Sequence, residues 1–316
     1  MPLISVNARD GQVTGRDWAT PLGLQLHAAL SASPPEVPVV VMVHGFRFSP
    51  DLPFTDPHSH ILALEPRPDC WRAISWPRHL GFGRSPDEGL VLGFGWRACG
   101  TIWQANAEAG RAGIALAGLL RQIRAIDPGR QINVLAHSLG ARVVLAALHD
   151  LPSRSIGRLV LMAGAEFASR ATAAMASPAG RTAEVFNVTT RENDLFDFLT
   201  ELLLPAPCPA DRALGHGLPQ PQPNWLDLQI DQAETLAALA NLGHHIAPPH
   251  LRICHWSAYL RPGLFGLYRS LLSDHQTLPM ALLRQQLPRR TEPRWSRLLA
   301  PPGRRQPVTF AGKVPS

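Results

Sequence analysis

Lysine is almost missing from this chain. Lys313 stands alone and all other positive charge is arginine, a bias that fits a GC-rich coding sequence and says little about function. Cysteine is scarce too. Cys70, Cys99, Cys208 and Cys254 have neither paired nor C-x-x-C spacing, so neither a zinc knuckle nor a disulfide framework is indicated. No stretch reaches the roughly 18 apolar residues of a membrane span. Met1 to Gly11 has no basic stretch followed by an apolar one, the pattern of a secretory leader, so a reducing cytoplasm is the expected setting. No internal repeat is visible.

The positive charge that is present is unevenly spread. The net charge is +6, but from Arg284 onward seven arginines and Lys313 stand against Glu292, a balance of +7, so the first 283 residues sum to −1. The basic character belongs to the C-terminal stretch, and the body does not read as a nucleic-acid binder. With 316 residues, 45% hydrophobic and 17% charged, the chain can bury a sizeable core. Its 31 prolines and 25 glycines imply stiff or sharply turned loops.

The apolar pattern alternates between short strands and longer helices. Ile4–Val6 and Leu22–Ala28 fit early strands or a short helix. Pro38–His44 reads as a buried strand entering Gly45-Phe46. Residues 47–88 form a long connection, and a loop of that length in a compact domain is usually functional. Leu90–Trp96 is a second strand. Ile102–Ile126 is a helix stopped by Asp127-Pro128-Gly129. Further strands are expected at Ile156–Ala163, Glu184–Thr190 and Leu251–Cys254, with helices over 167–180, Leu236–Leu242 and Gly263–Leu272. Such alternation implies a parallel sheet covered on both faces.

The most informative stretch is 131–148. Ile132, Val134 and Leu135 suit a buried strand and Ala141–Leu148 a packed helix. Between them lies Ala136-His137-Ser138-Leu139-Gly140, a variant of the G-x-S-x-G elbow. A strand turning directly into a helix forces the apical serine into a strained backbone conformation, and small neighbours two positions away relieve the crowding. The turn holds Ser138 Oγ clear at a helix N-terminus, where the Leu139 N–H points at a developing negative charge. The bland alternative is a serine that merely caps a helix.

Functional residues of open parallel sheets gather beyond the strands' carboxyl ends. Gly45-Phe46, Ser138, Asp194 and His255 all sit there, in the order nucleophile, acid, histidine. With V-x-V-H-G-F ending at Phe46, the A-H-S-L-G elbow, N-V-T-T-R-E-N-D ending at Asp194 and C-H-W-S around His255, the chain resembles an α/β-hydrolase-fold serine hydrolase of the esterase and lipase kind. It is similar to bacterial α/β-hydrolases carrying an A-H-S-L-G elbow, over roughly residues 36–272. The resemblance implies a Ser138–Asp194–His255 triad, an oxyanion hole from the Phe46 and Leu139 N–H groups, a small-molecule ester or lipid-like substrate, and no cofactor.

Alternatives stay open at several positions. Glu166 or Asp197 could replace Asp194 as the acid, and Asp194 could simply cap a helix. His244, His245 or His275 could replace His255, which could instead be a satisfied core histidine beside Trp256. His44 and His137 are expected to brace loops. Asp56-Pro-His58-Ser-His60 has the H-x-H spacing of a metal pair, without further ligands nearby, and a lid or pocket wall fits it better. Residues 195–204 suit an amphipathic lid, an acyl-binding wall or a core helix. The expected layout is an α/β-hydrolase domain over 1–283, with 47–88 and 195–250 as lid- or cap-like insertions, and a loosely packed tail over 284–316. Rival functions are a non-catalytic interaction module on the same fold and a metal-assisted hydrolase using His58 and His60.

Overall fold

Strands apolar at nearly every position must be covered on both sides, and the apolar runs of this chain meet that demand in one sheet. The computed structural model describes residues 3–299 apart from 69, 71, 84, 86, 87, 274 and 275. Its strands are β1 (Leu3–Arg9), β2 (Gln12–Gly15), β3 (Val39–Val43), β4 (Val91–Gly95), β5 (Ile132–His137), β6 (Arg158–Met162), β7 (Glu184–Thr189) and β8 (Trp225–Gln229). They lie in the order β2-β1-β4-β3-β5-β6-β7-β8. Only the edge hairpin β1–β2 is antiparallel. The expected fold class, a mostly parallel sheet with helices on both faces, is the one observed.

Alternate residues of one strand feed two separate cores. Val39, Val41 and Val43 face one, Val40 and Met42 the other. The first is roofed by α1 (Leu22–Ala32), α3 (Ile102–Ile126), α4 (Gly140–Leu148) and α5 (Ala168–Met175). The second lies under α2 (Trp76–His79), α7 (Ala233–Asn241), α8 (Ser257–Leu260), α9 (Leu264–Ser273) and α10 (Met280–Gln286). Helix α3 starts with a reciprocal capping box. Thr101 Oγ1 accepts from the Gln104 N–H at 3.2 Å, and Gln104 Oε1 accepts from the Thr101 N–H at 2.9 Å. Two further helices, α6 (Asp194–Leu203) and α11 (Ser296–Leu299), follow the turn after β7 and close the chain's described part. No helix among the described residues is long and apolar enough to cross a membrane.

Within residues 47–88, Ile61, Leu62, Trp76, Leu80 and Phe82 are buried in the second core. Three other stretches differ from the sequence expectations. The 195–250 region is not an irregular insertion, because it contributes β8, whose Trp225, Leu228 and Gln229 are buried against β7. The stretch 251–254 is not a strand. Leu251 and Ile253 project into solvent, and the backbone is held as a loop by the Leu251 and Cys254 N–H groups bonding to Glu192. Finally, residues 284–299 are docked rather than loosely packed. The Trp295 N–H donates to Asp194 Oδ2 at 2.7 Å, and Arg297 Nε to Leu251 O at 2.6 Å. The rest of the predicted tail lies outside the described residues.

Helices α3 and α4 cross so closely that a Cβ added at Gly113 would stand 2.7 Å from Ala146 Cβ and 2.9 Å from Val143 O. The same helix carries Gly118, where a Cβ would meet nothing within 4 Å. Gly118→Ala is therefore expected to stabilise the fold by up to about 1 kcal/mol through helix propensity. Gly113→Ala should instead destabilise it by about 1–3 kcal/mol, because overpacking outweighs that gain. Denaturant unfolding of the two variants beside the wild type reads the difference in sign.

Candidate active site

The parallel strands end nearly level. Val43 pairs with Ala136, Met162 with Val188, and Thr189 with Gln229, so the loops beyond them meet at one edge. Ser138, the first residue after β5, has φ +54°, the left-handed region that costs a side-chain-bearing residue energy. Its backbone is tied down on both sides: the Ser138 N–H donates to Met162 O at 3.0 Å, and Ser138 O accepts from Ala165 N–H at 2.9 Å. Small neighbours make room for it. A Cβ at Gly45 would fall 2.7 Å from Ser138 Cβ, and one at Gly140 would fall 2.7 Å from His44 O. The Gly45-Phe46 backbone thus lies directly beside the serine.

That loop is braced. The Arg47 N–H donates to Ala98 O at 2.7 Å and the Ala98 N–H to Phe48 O at 2.8 Å. His44 Nδ1–H donates to Gly45 O at 2.9 Å while Nε2 accepts from the Trp96 N–H at 3.0 Å. Burial holds this ring neutral, its pKa lowered to about 3. Among the described residues neither the Phe46 nor the Leu139 N–H donates a hydrogen bond.

His255 completes the contact with Ser138. Its Nε2 lies 2.8 Å from Ser138 Oγ and its Nδ1 lies 2.7 Å from Asn193 Oδ1. Asn193 Nδ2 in turn donates to Asp197 Oδ1 at 3.0 Å. Because an amide oxygen only accepts, Nδ1 carries the proton and Nε2 presents its lone pair to the serine hydroxyl. Burial, reinforced by the neighbouring His137, lowers the His255 pKa well below the ordinary imidazole value. The ring stacks on Phe196 with centroids 4.7 Å apart.

Residues 25–163 match the model of the family described as alpha/beta hydrolase of unknown function (DUF900). The chain has the α/β-hydrolase fold. The matched part takes in the Gly45 loop and the Ser138 elbow and stops just after β6, so Asn193 and His255 lie beyond it. No curated protein matches the chain. Among solved structures, a Trichoderma reesei cutinase in complex with a C11Y4 phosphonate inhibitor is similar at 15% identity, over 52% of this chain and 69% of that one. Its TM-score of 0.25 is too small to bear on function.

Within this α/β-hydrolase fold, Ser138 and His255 come into contact and the Gly45 backbone lies against the serine, whereas Asp194 does not join them. Asp194 is the first residue of α6 and is engaged by other partners. It pairs with Arg191 at 3.1 Å and accepts from the Trp295 N–H; burial pushes its carboxyl pKa up. A single 3-10 turn over Arg191–Asn193 places Asn193, one residue earlier, at the imidazole. The sequence carried a trace of this, since Asn193 and Asp197 are four apart and share one helix face.

The other candidates have structural partners. Glu166 is occupied by Arg142 at 2.7 Å and Arg170 at 3.2 Å. His137 Nε2–H donates to His255 O at 3.2 Å and so braces the histidine loop, its pKa lowered by burial to about 4. His244 and His245 follow α7, and it is His255 that reaches the serine; His275 lies outside the described residues. His58 Nε2 bonds to Asn7 Oδ1 at 2.8 Å and His60 packs edge-on against Phe48 at 4.9 Å. No group of three His, Cys, Asp or Glu side chains converges there among the described residues. A cavity of about 620 Å³ lies at the far, N-terminal end of the strands, between Leu3, Ser5, Ala29 and Leu90, and touches none of the site residues.

Glu192 joins the two halves of the site. It is 1% exposed, forms an ion pair with Arg261, accepts from the Leu251 N–H at 3.2 Å, and offers its backbone carbonyl to the Cys254 N–H at 2.8 Å. Removing the carboxylate strands the buried Arg261 and frees the Leu251 N–H, while the backbone bond to Cys254 remains. Glu192→Ala is expected to lower stability by about 3–5 kcal/mol, measured by denaturant unfolding. An unchanged midpoint would show that the loop is held some other way.

Proposed function

We propose that the chain is a serine hydrolase cleaving a small-molecule carboxylic ester through an acyl-enzyme intermediate. Ser138 is the nucleophile, His255 the base, and Asn193 fills the place usually taken by a carboxylate. The observation that carries this reading is the unbroken line from Ser138 Oγ through His255 to Asn193, with contacts of 2.8 and 2.7 Å. A serine in a left-handed conformation heads the line.

In the proposed cycle Ser138 Oγ bonds to the carbonyl carbon while its proton passes to His255 Nε2. The carbonyl π bond breaks, and the oxygen becomes an oxyanion between the Phe46 and Leu139 N–H groups. Collapse expels the alkoxide, which takes the proton from Nε2 and leaves as the alcohol. Water then gives its proton to Nε2 and its oxygen to the acyl carbon, and the acid departs from Ser138 as the proton returns to Oγ. No step needs a cofactor. Asn193 adds no negative charge to steady the imidazolium, and an ester, with its better leaving group, asks less of that base than an amide. Four free thiols suit a reducing compartment, and the cytoplasm is the setting we propose.

Labelling with a fluorophosphonate probe, read by mass spectrometry, tests the assignment. The wild type should carry the adduct on Ser138. His255→Ala should slow its formation by at least about 100-fold, and Asn193→Ala by about 10- to 100-fold. Asp194→Asn should label at close to the wild-type rate. No adduct on folded wild type would overturn the hydrolase reading, while loss of labelling in Asp194→Asn with Asn193→Ala unaffected would return the acid role to Asp194.

A further inference from the structure

We infer that Asp197 is a positioning residue: acting through the Asn193 amide, it determines which nitrogen of His255 carries the proton. The catalytic consequence rests on the serine-hydrolase reading above, whereas the geometry is a property of the fold. Asn193 and Asp197 are 3% and 2% exposed and lie one helical turn apart, the first capping α6 and the second in its opening turn. Asn193 Nδ2 donates to Asp197 Oδ1 at 3.0 Å.

The carboxylate has little freedom to turn away. A Cβ at Gly215 would sit 1.9 Å from Asp197 Oδ2, so the side chain is wedged against bare backbone. That backbone is itself anchored: Leu214 O accepts from Asn187 Nδ2 at 2.8 Å, and Gly215 O accepts from Arg191 Nη2.

An amide has one donating and one accepting end, and rotation by half a turn exchanges them. An ionised carboxylate only accepts, so it holds Nδ2 on its own side and turns Oδ1 toward His255 Nδ1. The imidazole must then keep its proton on Nδ1 and leave Nε2 bare for the Ser138 hydroxyl. With the amide reversed, Nδ2 would seek a lone pair on Nδ1, the proton would move to Nε2, and His255 could not take the serine proton. Negative charge is thus present at the site, one residue behind its usual place, and it acts by orientation.

The arrangement also titrates. Asp197 faces Arg191 from the turn after β7, Asp194 and Glu201 from its own helix, and Arg294 from the C-terminal segment; His216 lies beyond Glu201 at 3.8 Å. Burial outweighs these charges and pushes the Asp197 carboxyl up to about 7. Above that value the carboxylate is ionised and the amide is held. Below it the carboxyl gains a donor of its own and tolerates either orientation. Because His255 itself protonates at much lower pH, wild-type activity should show a partial loss through about pH 7, followed by a complete one far below it.

Two readouts decide the matter. Histidine-selective 15N NMR on the wild type alone should show the Nδ1-protonated tautomer of His255 above pH 7 and a mixture below it. Asp197→Asn, which leaves a partner able to face either way, should give the mixture at every pH. It should also lower kcat on a short-chain aryl ester by about 10- to 100-fold at nearly constant KM, and abolish the partial step. The exchange Asn193→Asp with Asp197→Asn keeps the polar complement of the pair, puts a carboxylate against Nδ1 and should restore most of kcat. A single unchanged tautomer in folded Asp197→Asn, or a wild-type tautomer that does not respond to pH, would overturn the inference. Should the wild type neither turn over esters nor accept the probe, the hydrolase reading fails, and the tautomer comparison still judges Asp197.

Discussion

The site depends on one buried turn, Thr190 to Asp194, at the end of β7. Each of its residues is committed to a different neighbour. Thr190 Oγ1 accepts from the Glu192 N–H at 3.2 Å and shapes the turn. Arg191 reaches Gly215 O and Asp194. Glu192 holds the histidine loop and Arg261, Asn193 meets the imidazole, and Asp194 receives the returning C-terminal segment. Buried ion pairs of this kind contribute little net stability, because desolvation offsets most of their attraction. What they supply is geometry: breaking any one leaves a charge stranded, so the turn has a single arrangement that satisfies all five.

The elbow was legible because its demands are local. A strand, a strained serine and small residues two positions away leave a mark of fixed spacing, and at Gly140, where a Cβ would fall 2.7 Å from His44 O, the reason for that mark is visible. The sheet was legible because strands buried on both faces must be apolar throughout. Asn193 was hidden because its role is set by a 3-10 turn that shifts the expected position by one residue, and nothing in the composition of Arg-Glu-Asn-Asp reveals that shift. Strand β8 was hidden among prolines: an edge position with one neighbour allows Asp227 in mid-strand, where it accepts from Asn187 Nδ2 at 2.8 Å. Conversely, the apolar alternation at Leu251 and Ile253 imitated a strand, although both side chains are exposed.

Burial also governs the charge states around Ser138. His44 and His137 are held neutral with pKa values lowered to about 3 and about 4, and His255 is depressed as well. Three neutral rings let the loops pack tightly with fixed donor and acceptor ends, His44 toward Gly45 and Trp96, and His137 toward His255 O. A protonated ring at His44 would lose the acceptor that the Trp96 N–H needs, and the loop bearing Phe46 would lose its brace. Low local dielectric therefore serves the packing of the site and keeps the His255 ring neutral, at a cost in its basicity.

That dielectric gives a reason for an amide at position 193. A carboxylate there would stand about as far from Asp197 as the present 3.0 Å contact, and two carboxylates sharing a buried site cannot both ionise. One would retain its proton, and which one did so would vary with the charge on His255. The amide removes that ambiguity: it donates to Asp197 and accepts from His255 at the same time, with no proton of uncertain position. The cost falls on the imidazolium, which is left without an adjacent negative charge, and the depressed basicity of His255 is consistent with that loss. A buried acid set behind an amide thus exchanges some electrostatic stabilisation of the protonated base for a single tautomer of the neutral one as long as that acid is ionised.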